Sequence, residues 1–170
     1  MPVLCLSFAV VLLDQLTKQL VLSHLDRTRG VAVIPGFFDL HFVQNTGAAW
    51  GIFQGLNHWL VALSFLMLVV MIFFRKHFLA DGITARLASG AIIGGIIGNL
   101  IDRVRLSYVV DFLDFYIGRH HFPAFNVADS AICVGVGLYV IAQWRGQGGE
   151  GENSKSEIRR NAESTNTENS

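Results

Sequence analysis

The chain has 170 residues, 52% of them hydrophobic and 15% charged, with 13 Lys plus Arg against 13 Asp plus Glu and a net charge of zero. Soluble domains carry about 25% charged residues, so a chain this poor in charge, with its apolar residues gathered in long runs, is not an ordinary water-soluble domain. Nothing in the balanced charge suggests nucleic acid, which usually selects a basic surface.

The first apolar segment runs from Val3 to about Leu22, close to the ~20 residues that span a bilayer. No basic leading region precedes it and no small-x-small site follows before His24, so it is expected to persist as a helix and not to be removed as a signal peptide. Asp14 and Lys18 stand four apart within it and share a helix face, where they can pair. Ionisable groups in a membrane segment face the bundle interior or a site. The pair is therefore a structural ion pair or a contributor to a site's field, unless Lys18 extends to the outer interface. Cys5 and Cys133 both lie in apolar runs, lack metal-ligand spacing and are expected to be buried thiols.

Residues 23–57 form a long connector. Phe38, Leu40 and Phe42 alternate with Asp39 and His41, the period of a strand. Pro35-Gly36 makes a turn before it, and Asn45-Thr46-Gly47 ends it. Tyr108 to Tyr116 has a similar β composition. These stretches predict a small sheet, drawn from about 31–55 and 107–117, on the outer membrane surface. Phe37, Phe38, Phe42, Trp50 and Phe53 would sit in the interfacial zone.

The second apolar segment, about 56–74, carries no charge before Arg75. The third, about 87–101, is short for a span and must extend to Asp102 and Arg103. Gly90, Gly94 and Gly98, with Gly95 beside them, allow close helix packing in lipid. Asn99 and Arg103 occupy the next turn, and Arg103 either snorkels or grips a carboxylate through a bidentate contact. Asp111 lies between apolar neighbours in Val109-Val-Asp-Phe112 and needs a partner or a raised pKa. Pro123 stops the preceding element and Asn126 can cap the fourth segment, about 127–144. Asp129 in its first turn gains from the helix dipole. Residues 146–170 hold one large apolar residue, Ile158, and are expected to be a disordered tail.

The expected fold is an all-α membrane bundle of four transmembrane helices (about 3–22, 56–74, 87–103 and 127–144) with a small extracytoplasmic β-sheet. It forms one membrane domain over 1–145, followed by the tail. With both termini inside, the cytoplasmic side holds Arg75, Lys76, Arg86, Arg145, Lys155, Arg159 and Arg160. The outer loops hold Arg27, Arg29, Arg105 and Arg119, or one more with Arg103, so the positive-inside rule favours this orientation.

In that topology the outer ends of the third and fourth segments meet, and Asp111 and Asp129 can approach one another. Two adjacent carboxylates do not both ionise readily, so one keeps a proton. The ionised partner can draw a proton from water while the protonated one polarises a carbonyl, which is acid–base peptide hydrolysis without a metal or a covalent intermediate. Spacing alone does not separate this pair from Asp102 or Asp114.

Five blocks carry a resemblance: Asp14-Gln-Leu-Thr-Lys18, Asn45-Thr-Gly-Ala-Ala49, Gly95 through Gly98-Asn-Leu-Ile-Asp-Arg103, Val109-Val-Asp-Phe112 and Phe122-Pro-Ala-Phe-Asn-Val-Ala-Asp-Ser130. In this order, in register with four apolar segments, they resemble the lipoprotein signal peptidase family, signal peptidase II. The resemblance implies an aspartyl endopeptidase of the bacterial inner membrane with Asp111 and Asp129 as the catalytic pair. Around that pair it implies supporting or substrate-binding roles for Asn45, Gly47, Asn99, Arg103 and Asn126, with Asp14 and Lys18 as a polar pair on the first helix. It implies no metal and no cofactor. The implied partners are membrane lipids and the signal peptide of a prolipoprotein whose cysteine carries diacylglycerol, cut just before that cysteine; a monomer is compatible with this.

A membrane serine protease would need a base for Ser130 or Ser107, and the nearby His120 and His121 are expected to be loop residues. Neither a Gly-x-Ser-x-Gly elbow nor a His-Glu-x-x-His motif is present. The alternative from another class is a small polar-lined transporter or channel, which calls for ionisable groups near mid-bilayer and broken helices.

Overall fold

The computed structural model describes residues 1–48, 52–76 and 82–144. The expectations for Ala49, Trp50, Arg145 and the tail 146–170 lie outside the described residues. Helix α1 is Pro2–His24, α2 Asn57–Phe73, α3 Gly82–Leu106 and α4 Val127–Trp144. Helices α1, α3 and α4 are long and apolar enough to cross a bilayer. Helix α2, with 17 residues, sits at the lower end of the ~17–25 that suffice. The third apolar segment does extend past Asp102 and Arg103, and it also begins earlier than hydropathy suggests. Thr84 and Arg86 dilute the apolar signal of its first turns without interrupting the helix.

Polarity in α1 is inverted relative to a soluble helix. Its buried residues are Ser7, Asp14, Lys18 and Val21. Leu4, Phe8, Leu12, Leu16 and Leu20, spaced by four, are exposed. Such a helix suits a bilayer, where the apolar stripe meets acyl chains and the polar stripe meets protein. The same logic corrects the expectation for the cysteines: Cys5 and Cys133 are exposed, because an apolar run does not say whether protein or lipid will cover it.

Helix α3 is the centre of the bundle, and its glycines decide how close its neighbours come. A Cβ at Gly94 would lie 2.8 Å from the Ser7 carbonyl oxygen of α1, and one at Gly98 would lie 2.6 Å from Asp14 Oδ2. The Ser7 hydroxyl donates to the Gly90 carbonyl at 2.9 Å. Gly95 is turned toward α4, where a Cβ would collide with the Ala128 carbonyl, and Gly135 of α4 fits against Ala88. Gly90, Gly94 and Gly98, four apart, thus bring α1 close, and Gly95 beside them brings α4 against the neighbouring face of α3.

A four-stranded antiparallel sheet of order β1-β2-β3-β4 caps one end of the bundle. Its strands are β1 Val31–Ile34, β2 Phe38–Asn45, β3 Val109–Ile117 and β4 His120–His121. Strands β2 and β3 pair from Phe38↔Phe115 to Asn45↔Val109, with a register shift between Leu40 and Val43. Phe42, Val110 and Phe112 pack with Val21 of α1 and fasten the sheet to the helix ends. The β-like stretches of the sequence correspond to β2 and β3. His120 and His121 are not plain loop residues: they form β4, with the His121 ring stacked 4.9 Å from Tyr116 and its Nδ1 3.0 Å from Asp114.

Candidate active site

The sheet end of the bundle gathers polar side chains from five elements. Asp111 comes from β3, in a strand section where Val109, Val110 and Phe112 are all buried, and is itself 1% exposed. Asp129 comes from the first turn of α4. Asn126 precedes that helix and accepts the Asp129 N–H on Oδ1 at 2.9 Å, while the Asn126 N–H donates to Asp129 Oδ2 at 3.2 Å. This reciprocal pair is a capping box, and it fixes the Asp129 carboxylate to the helix start.

The two carboxylates are joined through amides. Asn126 Nδ2 donates to Asp111 Oδ1 at 2.6 Å and lies 3.2 Å from Asn99 Oδ1. Asn99 Nδ2 donates to Asp129 Oδ1 at 2.7 Å, and Asn45 Nδ2 donates to Asp111 Oδ2 at 2.8 Å. Burial pushes the Asp111 carboxyl up to about 7, and the nearby charge of Asp129 adds to the rise. The amides of Asn45 and Asn126 and the ammonium of Lys18 pull it back.

Behind the amides lies a charged cluster. Lys18, 2% exposed, donates to Asn99 Oδ1 at 3.0 Å and pairs with Asp14 Oδ2 at 2.9 Å and Asp102 Oδ2 at 3.1 Å. Lys18 therefore does not reach the interface; the two carboxylates hold it inside. Asp14 also accepts the Ala128 N–H at 2.9 Å, one residue before Asp129. Asp102 also accepts the Val110 N–H at 3.0 Å, one residue before Asp111. Each of these carboxylates steadies the backbone beside one member of the Asp111–Asp129 pair. Among the described residues no buried side-chain nitrogen or oxygen is left without a partner, and no three His, Cys, Asp or Glu side chains converge as a metal site requires.

Arg103 resolves differently from either alternative read in the sequence. It makes neither a bidentate carboxylate contact nor a purely interfacial one. Its Nη2 donates to the Gly47 carbonyl at 2.9 Å, and its charge interacts with Asp129 and Asp111. The Gly47 N–H donates to Asn45 Oδ1 at 3.0 Å, and a Cβ at Gly47 would lie 2.7 Å from the Ile52 carbonyl oxygen. Arg103 and Gly47 together hold the turn that presents Asn45 to Asp111.

All nine residues singled out in the sequence thus meet in one region. Two more belong there as well: Asp102, which spacing alone left as a rival catalytic acid and which the fold makes a partner of Lys18, and Gln15, to which sequence reasoning assigns no role and whose Nε2 lies 3.1 Å from Asp102 Oδ1 and 3.2 Å from Asp14 Oδ2. Their signal was present, since both are polar groups inside an apolar helix and each lies within a turn of a chosen residue. A cavity of about 590 Å³ opens on the site, walled by Asn45, Asn99, Arg103 and Asp129 and by the apolar Val109, Phe122, Pro123, Phe125, Ile132 and Cys133. Asp129 faces this space and Asp111 sits behind Asn45. A mostly apolar chamber with a few convergent polar groups at one wall suits a peptide that is itself largely apolar.

Comparison with known proteins is consistent across sequence and structure. Residues 6–145 match the family model of signal peptidase (SPase) II. The lipoprotein signal peptidase of Syntrophotalea carbinolica is 45% identical over 145 residues, covering 84% of this chain and 90% of that protein. That of Coxiella burnetii is 43% identical over 144 residues, covering 82% and 88%. A bacterial membrane enzyme solved at 2.3 Å superposes with a TM-score of 0.76 at 33% identity, covering 84% of this chain and 87% of that one. A second, solved at 1.9 Å, gives 0.72 at 34%, covering 83% and 91%.

Proposed function

We propose, for a chain that belongs to the lipoprotein signal peptidase (signal peptidase II) family, that Asp111 and Asp129 are the catalytic pair. The protein is a multi-pass bacterial membrane protein and an aspartyl endopeptidase that removes the signal peptide from diacylglyceryl-modified prolipoproteins, cleaving before the lipidated cysteine. The observation that carries the residue assignment is the amide bridge. Asn126 and Asn99 tie the two carboxylates together beside one cavity, with Asp129 at its wall and Asp111 behind Asn45, raised to about 7.

The chemistry follows from that arrangement. The pair shares a proton near neutrality. A water held between the carboxylates gives up a proton to the ionised one and attacks the scissile carbonyl. The protonated carboxyl donates to the carbonyl oxygen as negative charge builds there, and the proton taken from water passes to the leaving nitrogen. Asn45, Asn99 and Asn126 hold the carboxylates in place. Lys18, through Asn99, and Arg103 supply positive charge at the edge of the site. Transport is disfavoured, since the ionisable groups gather at the sheet end and Lys18, Asp14 and Asp102 close on one another.

The pH response has a definite sign. Asp111 carries its proton below about 7 and loses it above, so a mechanism that needs one proton on the pair slows as pH rises through that value. The Asn45 amide favours the ionised form, and its removal raises the carboxyl further. In Asn45→Ala the alkaline limb of the rate profile should therefore move upward, by about half to one pH unit. A limb that stays in place or moves downward in initial-rate measurements would remove Asp111 from the role.

The sheet and the catalytic pair are assigned to the outer face of the inner membrane, with both termini and the tail 146–170 in the cytoplasm. The excess of Arg and Lys in the α2–α3 connector and the tail supports this. A carboxy-terminal epitope should survive protease added to the outside of spheroplasts and be lost once they are opened. Loss before opening reverses the orientation.

A further inference from the structure

We propose that a second cavity, on the far side of the Phe122–Ala124 segment, receives the substrate residues that follow the lipidated cysteine, as an extended polar stretch of polypeptide. This rests on the first cavity being the catalytic one. The second cavity measures about 550 Å³ and is bounded by His41, Val43, Asp114, His121 and the segment Phe122–Ala124. Phe122, Pro123 and Ala124 line both spaces and form the partition between them. Strand β2 crosses the same boundary: Asn45, bonded to Asp111, lines the first cavity, while Val43 and His41 line the second.

The two spaces lead away from Asp129 in different directions. The first follows α4 from Asp129 past Ile132 to Cys133, one helical turn deeper among the apolar helices. That is where a hydrophobic signal segment belongs. The second leads along the sheet, among residues that come from β2, β3 and β4. A polypeptide held for cutting beside Asp129 has one half for each.

The wall chemistry of the second cavity selects peptide over lipid. Both Asp114 oxygens lie 3.0 Å from His121 Nδ1, and the His121 side chain is 53% exposed. A hydrocarbon chain packed there would cover the half-exposed imidazole, held against the 12% exposed Asp114, and return no hydrogen bond. A backbone N–H, a hydroxyl or an ammonium group would supply one. The continuing polypeptide therefore suits this space better than the acyl chains of the diacylglyceryl group do.

The test compares two diacylglyceryl-modified substrates with the same signal segment, one ending at the cysteine as its amide and one carrying several further polar residues. The unaltered protein should show a KM about three- to tenfold lower for the longer substrate, the scale of a few added contacts. Val43→Trp, which fills the cavity from β2, and Asp114→Asn, which removes its charge from β3, should each bring the ratio of the two KM values toward one while kcat for the longer substrate changes little. Two variants on different strands keep misfolding of one from deciding the result. Equal KM values for the two substrates in the unaltered protein would overturn the proposal. So would a ratio that both variants preserve, or variant effects that follow acyl-chain length on the short substrate. Cleavage of neither substrate by the unaltered protein would instead strike the catalytic reading beneath it.

Discussion

Asp129→Asn is expected to insert and fold, yet to cleave a diacylglyceryl-modified prolipoprotein about 10²–10⁴-fold more slowly than the unaltered protein, and Asp111→Asn to match it. The fold should survive because the substitutions are isosteric and one acceptor oxygen remains in each. In Asp129→Asn that oxygen can still take the Asn99 amide or the Asn126 N–H, and in Asp111→Asn it can still take the Asn45 or Asn126 amide. What disappears is the ability to accept and return a proton. The pair acts as a unit, so the double variant should be hardly slower than either single one. Gel-shift cleavage in detergent measures the rate, and thermal unfolding of the same samples checks the fold. Normal turnover by either folded single variant would dismiss the pair, and losses that multiply in the double variant would mean that the two act independently.

The second large effect is on stability. Lys18→Met should destabilise the purified protein by about 3–5 kcal/mol, the range found when one partner of a buried ion pair is removed and the other charge stays behind. Two charges stay behind here, because Asp14 and Asp102 share the one ammonium. The loss also travels toward the chemistry. Lys18 donates to Asn99 Oδ1, and Asn99 holds Asp129, so cleavage should slow as well. Adding Asp102→Asn to Lys18→Met should recover part of the stability, since one orphaned charge is then neutral. Denaturant or thermal unfolding in a fixed detergent gives the comparison. A single variant as stable as the parent, or a double variant worse than the single one, would show that the cluster is not held by this ion.

Much of this was legible in the sequence because the signals are local. Apolar runs mark the helices, a two-residue period marks β2, and glycines four apart mark the face of α3 that meets α1. Asn126 is recognisable as a cap because cap and capped residue are three apart. The illegible parts depend on partners distant in the chain. Gln15 and Asp102 are separated by 87 positions, and no local pattern announces their contact. Asp102 and Asp111 look equally eligible as catalytic groups from spacing. Only the fold shows Asp102 neutralised by Lys18 and occupied by the Val110 N–H, while Asp111 has neutral amides for direct partners. Arg103 reads as a carboxylate ligand or a snorkel because sequence shows charge more readily than it shows a backbone carbonyl waiting at Gly47. The two-residue β4 is too short for any periodicity to reveal.

The position of Lys18 on the same helix as Asp14 bears on how the chain is made. Helix α1 leaves the ribosome ahead of α3 and meets the insertion machinery before α3 has been synthesised. Its two charges lie one turn apart and cancel within the helix, so it can enter the bilayer as a neutral unit without its later partners. The surplus carboxylate, Asp102, is delivered only with α3, beside Arg103 and near the end of the helix that stays closest to water. The division of the cluster between an early neutral pair and a late single charge lets biosynthesis proceed in chain order, with no bare ion stranded in hydrocarbon while the rest of the protein is awaited.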